Sequence, residues 1–324
     1  MSVLILTEES DVSADYMVRA LQRRSVDVFR VDLGWFPAQL SFTAELRGSH
    51  WAGHLHTPAH TINLEDIHSI WYRAPTAFQF PDGLTAEERR VAFVEAKLGL
   101  GGVLASIDVL WVNHPARAAD AAYKPLQLVT AARCGLEVPR TLVSNEQTGV
   151  REFAAASGTG TVRKLFGGTS LIEHVDGRDV RRVAHTHRLG EDDLADLRGV
   201  ETTAHQLQDW VPKAYEVRLT AVGDRLFSVA IHAGSASSKV DWRTDYDALR
   251  YEQIDTPAEV ADGVHRYLSA MGLVYGAFDF VVTPDDRWVF LECNPGGQYG
   301  WLEEPAAVPI TDSLADLLAT GSAS

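Results

Sequence analysis

Short apolar runs and amphipathic stretches take turns along the first third of the chain. Val3–Thr7 is an apolar run, and from Ser13 to Arg24 the apolar positions Met17, Ala20 and Leu21 recur at helical spacing. Val26–Leu33 is apolar again, so the pattern predicts a β-α-β unit. Ser41–Arg47 and Trp51–His56 alternate about Gly48-Ser49 as a hairpin does, and Ile67–Tyr72 is a further strand. Thr85 with Glu88 three residues on makes a capping box that opens a helix to about Leu104. Asp108–Val112 closes a predicted open α/β domain over residues 1–112.

Beyond residue 112 the pattern shortens. Asn113-His114-Pro115 starts a helix, and Pro125–Cys134 followed by Gly135 is a helix with a C-terminal glycine. Thr141–Val143 and Thr161–Lys164 read as short strands around a helix at Glu146–Ala156, with Gly149 as its weak point. Leu171–Val175 and Val180–His187 flank a turn at Asp176-Gly177, which gives a small α+β domain over 113–207. The remainder, 208–324, begins with strands at 207–211, 216–222 and 225–233, the last two joined at Gly223-Asp224. Thr256-Pro257-Ala258-Glu259 is a capping box whose helix ends near Met271-Gly272, and the chain is expected to fray from Leu318.

Composition narrows the function. Length 324 with 46% hydrophobic residues fits two or three domains with sizeable cores. A formal charge of −15 gives no field for a nucleic-acid duplex, so such partners are not expected. The most apolar stretch, Leu98 to Val112, contains Asp108 and is too short for a bilayer, and the N-terminus has no basic run of a signal peptide. Two cysteines, Cys134 and Cys293, make no disulfide framework. A cytoplasmic protein without membrane attachment is expected.

The richest stretch for chemistry runs from Gly276 to Glu303. Two apolar strands flank Pro284-Asp285-Asp286-Arg287, and a two-residue loop at Asp285-Asp286 sets Asp279 opposite Glu292. Asn294, two residues on, shares the face of Glu292. Opposed carboxylates destabilise a half-buried sheet, whereas Mg²⁺, which prefers hard oxygen ligands, would reverse the sign. The plainer alternative turns both acids to solvent, which fits poorly with flanking Phe278, Phe280, Phe290 and Leu291.

Cationic and hinge-like pieces accompany it. Lys164 ends a strand and precedes Phe166-Gly167-Gly168, where glycines allow backbone N–H groups to approach a phosphate; a plain turn is the alternative. Lys124 precedes a helix and would otherwise be a solvated lysine. In the segment Gln208 to Arg218, a linker strand suits an adenine edge, Glu216 a ribose hydroxyl pair, and Arg218 a phosphate or developing oxyanion. Surface ion pairs are the alternative for each.

The order lysine, lysine–glycine loop, hinge acid, arginine, then Asp…Glu-x-Asn resembles the ATP-grasp superfamily. The segments WYRAP (71–75), AAYKPLQL (121–128), EVR (216–218), DWR (241–243) and FLECNPGGQYGWLE (290–303) further resemble graspetide synthetases, the microviridin-type enzymes that macrocyclise ribosomal precursor peptides. This resemblance implies an ATP-grasp fold behind an N-terminal pre-ATP-grasp domain. It makes Lys124 and Lys164 phosphate lysines, places the adenine hinge at Asp209, Trp210 and Val211, gives the ribose to Glu216, and makes Asp279, Glu292 and Asn294 the magnesium ligands. Cys293 departs from the family, where an aliphatic residue is usual, and is expected to point away from the metal.

The implied reaction phosphorylates an Asp or Glu side chain with ATP and lets a Ser/Thr hydroxyl or a Lys amine attack. Arg218 and Arg243 are the candidates for gripping the acceptor carboxylate and the tetrahedral intermediate; the alternative for Arg243 is an exposed cation on a mobile loop over 235–245. Glu191, Asp192 and Asp193 either pair with a basic residue of the leader peptide or simply favour a helix N-terminus. His185 and His187 show strand spacing without a third ligand. The family also implies a homodimer. Two other readings stay open: a ligase adding amino acids to a small molecule or a protein terminus, and a nucleotide-binding protein without catalysis.

Overall fold

Parallel strands need both faces covered, and the first third of the chain supplies the cover. The computed structural model describes residues 2–322 except 168–169, 176–177, 184–185, 236–237 and 239–241. Strand β1 (Ser2–Thr7), helix α1 (Val12–Arg23) and β2 (Asp27–Val31) form the expected unit; β3 (Ser41–Arg47), β4 (His50–His56) and β5 (Thr61–Asn63) form a separate antiparallel meander. Strand β6 (Ile67–Ala74), helix α2 (Ala86–Ala105) and β7 (Leu110–Val112) complete a parallel sheet in the order β2-β1-β6-β7. In β1, Val3 and Ile5 pack with α1, while Leu4 and Leu6 pack with Leu100, Val103 and Leu104 of α2. Asp11 caps α1 by accepting from the N–H groups of Ser13 and Ala14, and both bonds of the Thr85–Glu88 capping box are present.

The middle of the chain makes α3 (Pro115–Ala121), α4 (Lys124–Arg133), β8 (Thr141–Ser144), α5 (Gln147–Ala155), β9 (Thr161–Lys164), β10 (Ser170–Val175), β11 (Arg178–Val183), β12 (His187–Arg188), α6 (Glu191–Ala195) and β13 (His205–Asp209). Its sheet has the order β12-β9-β13-β8, and β10 and β11 pair as a separate hairpin whose turn lies outside the described residues. The strand expected over 180–187 does not run through. It ends at Val183, and His187 instead pairs with Arg163 of β9. Strand β13 holds Gln208 and Asp209 in this sheet, so the strand expected at 207–211 stops short of Trp210.

The final third builds the sheet that carries the site. Strands β14 (Tyr215–Val222), β15 (Arg225–Ala233) and β16 (Leu249–Ile254), helix α7 (Ala258–Met271), β17 (Tyr275–Val282), β18 (Trp288–Asn294), α8 (Gly300–Ala306) and α9 (Ile310–Thr320) follow in order. The antiparallel sheet runs β16-β15-β14-β17-β18. Its period-2 alternation separates two faces. Val217, Leu219, Phe278, Phe280 and Phe290 lie against α4 and α7, while Val222, Val229 and Tyr275 join the core of β1 and α1. Thr256 does not cap α7, because Pro257 occupies the cap position and the Thr256 hydroxyl bonds Ser228 Oγ at 2.7 Å.

The C-terminus does not fray at Leu318. Helix α9 returns to the N-terminal sheet, where Leu314 and Leu318 are fully buried and the Leu318 carbonyl accepts from Ser69 Oγ at 2.7 Å and His68 Nε2 at 3.0 Å. Among the described residues no helix is long and apolar enough to cross a membrane. Leu318→Ala should lower the unfolding free energy by about 2–5 kcal/mol in urea titration, as fully buried leucines do; a loss below about 0.5 kcal/mol would mean that the end is not part of the core.

Candidate active site

A bulge, not simple alternation, brings the two acids together. The β17–β18 turn is a three-residue loop, Pro284-Asp285-Asp286, closed by the Thr283 N–H donating to the Arg287 carbonyl at 3.0 Å, with Asp286 at φ 62°. The expected two-residue loop is therefore replaced. Phe280 pairs with Phe290, Asp279 pairs with Glu292, and Leu291 is the extra residue between them. Without it Glu292 would follow Phe290 into the core. The bulge turns Glu292 and Asn294 to the opposite face and leaves Cys293 in the core beneath, where its thiol points away from the acids.

Strand register then makes a charged row across three strands. Arg218 lies opposite Asp279, which lies opposite Glu292. Arg218 Nε stands 3.3 Å from Asp279 Oδ1, and Arg243 Nη2 reaches Asp279 Oδ2 at 2.9 Å and Glu292 Oε1 at 3.5 Å. Lys124 Nζ, from the first turn of α4, meets Glu292 Oε2 at 2.7 Å and the Leu165 carbonyl at 3.0 Å. Burial raises the pKa of Asp279 against the pull of Arg218 and Arg243, and the facing Glu292 adds to the rise. Burial opposes the charge of Glu292 too, but Lys124, Arg243 and Lys164 outweigh it and hold its pKa at about 2.

The row forms one wall of a cleft of about 1070 Å³ between the central and C-terminal sheets. Lys124, Lys164, Gly167, Asp209, Trp210, Val211, Glu216, Arg218, Arg243, Asp279, Glu292 and Asn294 all line it, and Gly168 lies outside the described residues. Burial lowers the pKa of Lys164, with Glu292 acting against that effect. Glu216 is ion-paired with Lys213, while burial raises its carboxyl. At the linker, the Asp209 and Trp210 N–H groups turn inward to the carbonyls of Arg140 (3.0 Å) and Gly160 (2.8 Å), so neither is presented as a donor to the cleft. The Asp209 carboxylate is held by Arg140 at 3.1 Å.

Arg243 owes its place to aromatic packing. The loop expected to be mobile ends in a 3-10 turn, Trp242–Thr244, in which Trp242 is 5% exposed and stacks on Trp301 of α8 at 5.0 Å. The Arg243 guanidinium lies 4.7 Å above the Trp242 ring. Trp301, Lys213 and Gln127 are site residues that the sequence left unassigned, although Gln127 and Trp301 fall inside the quoted segments. Glu191, Asp192 and Asp193 do not line the cleft. They form the exposed first turn of α6, where the Gly190 N–H and His187 hold Asp193 below its usual carboxyl range. His185 lies outside the described residues, and His187 is bonded to Asp193.

Among the described residues no group of three His, Cys, Asp or Glu side chains could hold a metal ion. Two carboxylates and the Asn294 amide nevertheless make a set of hard oxygen donors that suits Mg²⁺, and the mutual repulsion of the acids is relieved by any cation placed between them.

Residues 2–119 match the family model of the MvdD pre-ATP-grasp domain. Macrocyclase MdnC of Microcystis aeruginosa MRC, solved with precursor peptide MdnA, is 29% identical over 99% of this chain and 100% of its own, with a TM-score of 0.86. A RiPP-associated ATP-grasp ligase of Chryseobacterium gregarium, solved with ADP and a leader and core peptide, is 27% identical over 99% and 98%, with a TM-score of 0.90. ATP-grasp ligase PsnB, solved with Mg, ADP and a minimal precursor variant, shares the fold at 21% identity over 99% and 98%, with a TM-score of 0.78. No curated protein matches the chain by sequence. The chain thus carries a pre-ATP-grasp domain of the MvdD kind over residues 2–119 and shares, over nearly its whole length, the fold of these ATP-grasp ligases.

Proposed function

We propose that this ligase uses ATP to activate Asp or Glu side chains of a ribosomal precursor peptide and closes ester or amide rings with Ser/Thr or Lys side chains of the same peptide. The observation that carries this reading is the Arg218–Asp279–Glu292 row standing in one cleft with Lys124 and Lys164. Precursor peptides bound to MdnC and to the Chryseobacterium ligase support a peptide partner, and ADP in the latter supports the nucleotide.

A carboxylate repels nucleophiles and has no good leaving group, so it must first be activated. An oxygen of the peptide carboxylate attacks the γ-phosphorus of ATP, the bond to the β-phosphate oxygen breaks, and ADP departs. The hydroxyl or amine then attacks the acyl carbon and gives up its proton, and inorganic phosphate leaves with the C–O pair. Lys124, Lys164 and the Gly167-Gly168 loop would hold the phosphates, Glu216 the ribose, and the Asp209–Val211 linker the base. Polyphosphate beside Lys164 restores the counter-charge that burial denies its ammonium. Mg²⁺, for which Asp279, Glu292 and Asn294 are the ligands present, would neutralise charge on the phosphate oxygens when bound. Arg218 and Arg243 would grip the acceptor carboxylate, as planar guanidinium groups do.

Partners follow from this reading. Glu191, Asp192 and Asp193 offer an exposed acidic turn to a basic leader residue, and the cytoplasm, where ribosomal peptide and ATP meet, is the place of action. A second copy is the other partner proposed. Along α2, Val91 is 46%, Val94 38% and Leu98 67% exposed on one face. Only Glu95 and Lys97 carry charge between Val91 and Ala105, so the face is neutral in a chain of charge −15 and can meet itself without repulsion.

With ATP, Mg²⁺ and a cognate precursor, peptide mass should fall by one water per bond formed. Phosphate release with free amino acids alone would instead favour an amino-acid ligase. Glu292→Gln should cut turnover at least about 100-fold with the unfolding midpoint little changed; retained turnover would remove Glu292 from the cation site. On size-exclusion chromatography with light scattering, Leu98→Asp should convert a dimer to a monomer, and a wild-type monomer would end the α2 pairing.

A further inference from the structure

The segment that follows the bulge sits at the open edge of its sheet, where no strand among the described residues pairs with it. Strand β18 is the last in the order β16-β15-β14-β17-β18, and its outer edge faces α4, with the Phe290 N–H donating to the Glu137 carbonyl at 2.7 Å ahead of the bulge. Side chains take the place of the missing strand. Gln127 of α4, 3% exposed, accepts from the Cys293 N–H at 2.9 Å and donates to the Cys293 carbonyl at 2.8 Å. Cys293 is the residue between Glu292 and Asn294, so both peptide groups flanking it are fixed by one amide.

The carbonyls of the three residues after Asn294 are each taken by a different donor. Asn113 Nδ2 donates to Pro295 O at 2.7 Å, Arg73 Nη1 to Gly296 O at 2.8 Å, and Tyr275 Oη to Gly297 O at 2.6 Å. The Asn294 carbonyl itself accepts from the Gly297 N–H at 3.2 Å. Gly297 lies so close to β17 that a Cβ on it would come within 2.5 Å of Ala277 Cβ. Arg73 stands at the end of β6, with its side chain 3% exposed and Nε 3.3 Å from Asp11 Oδ2, the carboxylate that caps α1. Its Nη2 is buried without a hydrogen-bond partner. A buried guanidinium with an unpaired donor is a poor stabiliser, and an apolar side chain would fill that space better. What Arg73 gains instead is reach from the N-terminal sheet to the loop beside Asn294.

We infer that Gln127 and Arg73 are positioning residues that hold Glu292 and Asn294 at the spacing a divalent cation requires, Gln127 from the side of α4 and Arg73 from the N-terminal sheet. The inference rests on the nucleotide reading given above. Groups outside the ligand set that fix the ligands in place typically change metal affinity by about 10–100-fold when replaced.

The test uses the full chain saturated with ADP and titrated with Mn²⁺ as the spectroscopic stand-in for Mg²⁺, read by electron paramagnetic resonance. Thermal unfolding and ADP affinity in EDTA are measured alongside. Gln127→Leu and Arg73→Lys, the latter keeping a cation beside Asp11, should each weaken Mn²⁺ binding at least about 10-fold. Metal-free ADP affinity should stay within about twofold of wild type. Mn²⁺ affinity within twofold of wild type in a folded variant overturns the inference, as does an equal fall in metal-free ADP affinity. Should Gln127→Leu fail to fold, Arg73→Lys decides. A wild-type chain that takes no Mn²⁺ with ADP overturns the nucleotide reading itself, a result distinct from equal affinities.

Discussion

Two carboxylates facing each other on neighbouring strands, with little water around them, are a standing instability. Asp279 is 6% exposed and Glu292 stands directly across from it. At such separations and in such surroundings like charges repel by several times what they would in water. The fold answers with positive charge drawn from three distant places: Arg218 from the adjacent strand, Arg243 from a loop, and Lys124 from a helix laid over the sheet edge. The pKa values of the two acids accordingly shift in opposite directions. Glu292, with Lys124 in contact, stays an anion, whereas burial pushes Asp279 toward its neutral form. A site so built holds its negative charge in readiness for cations and is stable only because cations of its own chain are already there.

How much of this could be read from the chain depended on whether local periodicity or distant packing decided the matter. Alternation in β14 and β17 marked one face as core and the other as charged, and the structure keeps it: Phe278 and Phe280 fall on one side, Asp279 on the other. The pairing of Asp279 with Glu292 was also legible, but through two errors that cancel. The loop has three residues where two were expected, and the bulge at Leu291 restores the register that the longer loop displaces. Nothing in the letters Phe290-Leu291-Glu292 announces a bulge. It follows from the impossibility of burying Glu292 beside Phe290. Thr256 and Leu318 failed for the complementary reason. Each local pattern was sound, but Ser228 offered Thr256 a better partner, and the N-terminal sheet offered the last helix a core.

That returning helix matters to the site as well as to the fold. Helix α9 shares one hydrophobic core with β1, α1 and the apolar end of the C-terminal sheet, so the sheet that carries the acids is not free to shift against the N-terminal unit. The same sheet face is apolar at Val222, Val229 and Tyr275 and charged at Glu216, Arg218 and Asp279. One end is fastened by burial, and the other is left open as the cleft wall. Hydrogen bonds from Asn113 and Arg73 then bind the loop beyond Asn294 to the fastened end. The linker at Asp209 and Trp210 is likewise tied inward by its own N–H groups, so a base in the cleft would be met by linker groups other than those two donors.

Arg243 is where the electrostatic and mechanistic demands meet. Its guanidinium lies against both acids, at 2.9 Å from Asp279 and 3.5 Å from Glu292, and supports them together with Arg218 and Lys124. Under the proposed roles the same side chain grips the carboxylate to be activated. A guanidinium and a divalent cation compete for the same oxygens, so these duties belong to different moments. Trp242, stacked on Trp301, anchors the turn that carries Arg243 while leaving the Arg243 side chain 37% exposed at the cleft. A fixed backbone with a half-exposed head is the arrangement that allows the charge to turn from the acids to an incoming carboxylate without moving the loop. Charge compensation in the resting site and charge recognition in the working one are then two orientations of one residue.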